Sequence, residues 1–168
     1  SPSMKAVNLK HNHKLSKLNI IIQINKEEDI KDLKENATIS ISNLNTKAIY
    51  NIDTELFSSL NNPQNIIPNG QWEADEENHQ LTGKKAILIP QPTTGCELTL
   101  RTKNKIYSAI LPEDLTLESE TSCELLLIYD SRVGIGKISS SISEWKQGGS
   151  SNATLEEKEN NNSISISG

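Results

Sequence analysis

The sequence predicts an all-β sandwich. Apolar residues alternate with Ser, Thr and Asn along most of the chain, as in Thr38-Ile39-Ser40-Ile41-Ser42 and again in Ser163-Ile164-Ser165-Ile166-Ser167. Period two is the spacing of side chains across a pleated strand, so each run buries one face and wets the other. Turn signals such as Asn61-Asn62-Pro63 and Pro68-Asn69-Gly70 separate these runs. Helical periodicity is nearly absent. Together these features predict about seven to eight strands and one short connecting helix.

Taken in order, Val7 and Leu9 suggest a short strand that His11 to Ser16 interrupts. Leu18, Ile20, Ile22 and Ile24 then alternate with Asn19, Ile21 and Gln23, giving a long strand with one apolar face. Glu27 to Leu33 reads as a helix of one or two turns, acidic at its start and followed by lysines, which suits the helix dipole. Thr38 to Leu44 and Lys47 to Ile52 read as a hairpin around Asn45-Thr46, and residues 53 to 70 as loop. Ala86 to Ile89 is an apolar strand stopped by Pro90 and Pro92. Cys96 to Arg101 and Lys105 to Leu111 form a second predicted hairpin around Lys103-Asn104. Residues 112 to 120 form an acidic loop, and Cys123 to Tyr129 and Val133 to Ser139 two further strands.

The length of 168 residues suits one domain, or one domain and a tail. A net charge of −5 argues against a nucleic-acid groove. No apolar run approaches the ~20 residues of a membrane-spanning helix. Six aromatics, Trp72, Trp145, Tyr50, Tyr107, Tyr129 and Phe57, are few for a sugar-stacking face, so Ile and Leu must build the core. Cys96 and Cys123 are the only cysteines. If residues 96 to 130 form a three-strand meander, two strand spacings of roughly 9.5 Å hold them too far apart for a disulfide. A bridge across two sheets and two small buried thiols both stay open.

Chemistry-bearing patterns are weak. His11-x-His13 lacks an evident third ligand, since His79 is distant in sequence. The acidic run Glu73, Asp75, Glu76, Glu77 lacks calcium-loop spacing. Gly134-Ile135-Gly136-Lys137 is too short for a phosphate loop and leads into a strand. No nucleophile elbow is present, so no catalytic residue, metal or cofactor is assigned and the chain is not expected to be an enzyme. Trp145, at a strand end, reads as a plug for the edge of the core.

Four stretches in order resemble the fimbrillin family of Gram-negative anaerobes. They are Val7-Asn8-Leu9-Lys10 through His13-Lys14-Leu15-Ser16-Lys17-Leu18-Asn19-Ile20, then Thr38 to Leu44, then Ala86 to Gln91, then Val133 to Gly149. His13, Lys17, Leu18, Pro90 and Trp145 are the positions that carry the motifs. Ser16 stands where the family often has Ala, and Asn43 where glycine is common. The resemblance implies a transthyretin-like β-sandwich over residues 1–149, as the C-terminal domain of a longer two-domain protein. Residues 150–168 would then be a mobile polar tail. The resemblance further implies export, a lipid anchor upstream, a place at the outer membrane or cell surface, and other pilus subunits as partners in a homo- or hetero-polymer. Ser163, Ile164, Ser165, Ile166 and Ser167 form either a frayed tail or a candidate donor strand that would complete the open edge of another subunit. The competing expectation is a surface module on the same sandwich that binds carbohydrate or a host protein.

Overall fold

A computed structural model describes residues 14–145. The predicted strand at Val7 and Leu9, His11, His13, the tail 150–168 and its candidate strand 163–167 lie outside the described residues.

The elements are β1 (Ser16–Ile24), α1 (Glu27–Asn36), β2 (Thr38–Asn51), β3 (Leu56–Ile66), β4 (Glu73–Asp75), β5 (Gln80–Leu88), β6 (Gln91–Pro92), β7 (Glu97–Arg101), β8 (Ile106–Ile110), β9 (Thr116–Leu117), β10 (Thr121–Asp130) and β11 (Gly134–Glu144). Eight of the strands have five or more residues. One sheet runs β11-β10-β1-β5-β4 and the other β3-β2-β7-β8, with a two-stranded accessory sheet β6-β9. The β1–β10 pair is parallel, and the other strand pairs are antiparallel. The all-β sandwich expected from the alternation is what forms.

Alternation explains the core. Leu18, Ile20, Ile22 and Ile24 of β1 and Cys123, Leu125, Leu127 and Tyr129 of β10 line the inner face of one sheet. Ile39, Ile41, Leu98 and Leu100 meet them from the other. Ile30 and Leu33 of α1 join the same cluster, so the helix closes one end of the sandwich. At ten residues α1 is longer than the one or two turns expected. Its first turn carries Glu27, Glu28 and Asp29 and its last turn Lys34, as the dipole favours.

Three expectations need correction. The hairpin around Asn45-Thr46 does not form: β2 is one strand of 14 residues. Its pairing with β3 is irregular at two places, between Ile41 and Leu44, where Asn43 has a φ of 59°, and between Lys47 and Ile49. Side chains from elsewhere hold Asn45-Thr46 extended. Gln91 Oε1 accepts from Asn45 N at 2.8 Å, and Gln91 Nε2 donates to Asn45 O at 3.0 Å. The Thr46 hydroxyl donates to Asn62 O at 2.8 Å.

The predicted loop 53–70 contains β3, which pairs with β2 over most of that strand's length. As an edge strand exposed on both faces it carries no alternation to read. The meander 96–130 also fails, because β7 and β8 lie in one sheet and β10 in the other. Cys96 and Cys123 are free and buried. Burial raises both thiols, Cys123 to about 11.

The β10–β11 turn is tied by Asp130. Its carboxylate accepts from Arg132 N at 2.8 Å, Nε at 3.1 Å and Nη2 at 2.7 Å. Hydrogen bonds from the Arg132 side chain first, then from its backbone N–H, hold the carboxyl far below the usual range. A folded pKa below the unfolded value of about 3.9 gives stability that is complete above that value and lost as pH falls towards the folded one. Urea midpoints measured from pH 7 to pH 2 should therefore fall less steeply below pH ~4 in Asp130→Asn than in the parent. Equal slopes would show that the turn contributes nothing to acid sensitivity.

Candidate assembly site

The two ends of the described chain meet at one seam. Leu15, immediately before β1, and Trp145, immediately after β11, share a second apolar cluster with Ala48 and Ile89, against which Phe57 and Ile87 pack. Leu15 is fully buried and Trp145 is 9% exposed. Backbone bonds close the seam: Glu120 N donates to Leu15 O at 3.1 Å, and Trp145 N donates to Glu120 O at 2.8 Å. Lys14 Nζ sits between Glu55 and Glu120, 3.1 Å from each. Hydrogen bonds to Glu55 first, then to Glu120, raise its pKa. The distal half of the β2–β3 hairpin is thus folded down over the place where residues 1–13 arrive and residues 146–168 depart.

Of the motif positions, Lys17 and Trp145 come together here. Lys17 Nζ lies 5.9 Å from the centroid of the Trp145 ring, within cation–π range. Pro90 follows Ile89 of the cluster. Leu18 points the other way, into the main core. Ser16 is fully buried, and among the described residues its hydroxyl has no hydrogen-bond partner. The position therefore asks for a small side chain and not for a polar one.

Gln91 matters more than its sequence neighbour Pro90. It is 3% exposed, spans Asn45 as described, and donates to Ile89 O at 3.0 Å, which locks β2 to the seam. A glutamine beside a proline gives no sign of this role, because its partner is 46 positions away. Lys14 is equally illegible. It lies within the first motif, but its carboxylate partners are set by the fold.

Elsewhere, the hairpin displays Ile49, Ile52, Leu56 and Leu60, at 52%, 44%, 65% and 36% exposure. A groove of about 610 Å³ runs by the C-terminal end of α1, lined by residues that include Lys31, Lys34, Trp72 and Lys84. Trp72 is 6% exposed there, with Lys84 Nζ 5.7 Å from its ring centroid and its Nε1 donating to Ala37 O at 2.8 Å. The acidic run forms β4 and its turn, where the Asp75 carboxylate accepts from Asn78 N and Nδ2. Among the described residues no group of three His, Cys, Asp or Glu is placed to hold a metal ion. Among them no helix is long and apolar enough to cross a membrane.

Fold and seam define a two-sheet β module whose flanking segments arrive and depart at the same end. The chain belongs to the fimbrillin-like family, whose match covers residues 1–145. Among solved structures, a candidate cell adhesion protein from Bacteroides uniformis aligns with a TM-score of 0.61 at 22% identity, over 79% of this chain and 51% of that one. A second, from Bacteroides ovatus, aligns with a TM-score of 0.58 at 18% identity, over 80% of this chain and 46% of that one. At these identities the likeness is one of fold. The chain spans about half the length of each of these structures. No curated protein matches it.

Proposed function

We propose that this chain is the C-terminal sandwich domain, residues 1–149, of a structural or adhesive subunit of a cell-surface pilus. It is exported, anchored through an upstream lipid, and joined to other subunits by strand donation rather than engaged in catalysis. The observation that carries the reading is the fimbrillin-like match over residues 1–145. The seam supports it, since residues 146–168 depart from a point buried by Trp145 and braced by Lys14, and a strand pulled on there would load a fixed anchor. Ser163 to Ser167 has the alternation of a donor, with Ile164 and Ile166 as the side chains that would enter another subunit.

Deletion of residues 160–168 from the full-length protein is the test. The truncated protein should keep its circular dichroism spectrum and melting temperature while losing the ordered oligomers that the parent forms by electron microscopy. Assembly that survives the deletion removes the donor role.

A further inference from the structure

Among the described residues four strands end the two main sheets: β11 and β4 in one, β3 and β8 in the other. Sheet edges invite further strands unless they are short, charged, bulged or interrupted by proline. β4 has three residues, two of them acidic. β8 has five. β3 contains Pro63 and two left-handed residues, Ser59 and Asn62, with φ of 54° and 59°. β11 has none of these protections between Lys137 and Glu144. It pairs there with β10 residue for residue, and its bulge falls outside, at Gly136.

Among the described residues the inner face of β11 is also uncovered. Cys123, Leu125 and Leu127 of β10 are 0% exposed, and their partners Ile142, Ser140 and Ile138 point to the same side. Yet Ile142 is 46% exposed, Ser140 is exposed and Ile138 is half-buried. Among the described residues the sandwich is therefore open beside the second half of this strand.

The pattern on β11 names the occupant. Ile138-Ser139-Ser140-Ser141-Ile142 reads the same in both directions about Ser140. In an antiparallel pair about a twofold axis through Ser140, both inner faces stay on one side. Ile138 then lies opposite Ile142 of the second copy, and Ser140 opposite Ser140. Charge agrees. The only charged residues of β11 are Lys137 towards one end and Glu144 at the other. In-register parallel pairing would set Lys137 beside Lys137 and Glu144 beside Glu144, whereas antiparallel pairing moves the like charges to opposite ends of the contact. The symmetric register spans 137–143 and ends where the Gly136 bulge begins.

We propose that β11 pairs with β11 of a second copy of this chain, antiparallel about Ser140, joining the two five-stranded sheets into one. The contact is isologous and closes on itself. It does not rest on strand donation.

Sedimentation equilibrium of the 168-residue chain over a concentration series tests this. The parent should fit a monomer–dimer equilibrium. Ser140→Lys and Ser140→Glu each set like charges face to face across the axis and should lose the dimer, while an equimolar mixture of the two should regain it. Ser140→Cys should cross-link on oxidation, because residues paired across the axis lie within the roughly 4.4–6.8 Å Cα reach of a disulfide. Ser143→Cys, displaced along the strand, should not. A parent that stays monomeric, or grows into open polymers because another strand occupies β11, overturns the proposal. So do single variants that dimerise like the parent, or a mixture that stays monomeric. The pilus reading is tested separately, by the deletion of residues 160–168.

Discussion

Trp145→Ala is expected to destabilise the domain by about 3–5 kcal/mol, the usual cost of emptying a large aromatic site in a packed interior. Trp145 is the largest member of the cluster that includes Leu15, Ala48 and Ile89, with Phe57 and Ile87 packed against it. No smaller neighbour can collapse into the space without pulling β11 out of place. The Lys17 contact is lost as well, at 5.9 Å from the ring centroid, and a cation–π pair near the surface adds only ~0.5–1 kcal/mol. The melting temperature should fall by roughly 10 °C for a domain of this size.

The damage should also be local. The main core is a separate cluster, built on β1, β10, β2 and β7. Hydrogen exchange is therefore expected to accelerate most at Ala48 to Phe57, in the distal β2–β3 hairpin, and least at Ile20 to Ile24. A uniform loss of protection would show that the two clusters unfold together and that the seam is not a distinct unit.

What was legible in the sequence follows from how each strand is buried. β1 and β10 sit inside a sheet with one face in the core, so Leu18 to Ile24 and Cys123 to Tyr129 display their alternation openly. β3 is wet on both faces, and its Ser, Asn and Gln residues look like loop. Asn45-Thr46 looks like a turn because its local chemistry is that of a turn. The bonds that keep it extended come from Gln91 and Asn62, residues that no local window contains. The seam is the extreme case. Lys14 and Glu120 are 106 positions apart, and only the parallel placement of β1 beside β10 brings them within reach. Trp145 could be read as a plug from its place at a strand end, but what it plugs is defined by Leu15 and the hairpin, which sequence spacing does not relate.

Gly83→Ala is the other substitution expected to do large damage, and the reason is backbone rather than side chain. Gly70 and Gly83 lie face to face where the segment leading to β4 crosses β5, with φ of +116° and +113°. A Cβ on Gly83 would fall 2.1 Å from Gln71 O, and one on Gly70 would fall 2.1 Å from Gly83 O. Neither obstacle is a flexible side chain that could swing aside. The left-handed backbone alone costs a residue with a Cβ about 1–3 kcal/mol, before any overlap is relieved. Relief requires the crossing to open. The crossing is held on one side by the paired Asn69–Lys85 backbone bonds of 2.8 Å and on the other by Trp72, whose Nε1 reaches Ala37 O. Opening it withdraws the indole from the core next to α1. Gly83→Ala should therefore lower the unfolding free energy, measured by urea titration, by about 3 kcal/mol or more in total. Surface substitutions away from such features usually stay within about 0.5 kcal/mol. Trp72 fluorescence should shift to the red as the ring meets water. Trp145→Phe as a background would leave Trp72 as the reporting indole. A stable Gly83→Ala protein with unchanged emission would mean that the two backbones part without disturbing Trp72, and that the close crossing is not what seats it.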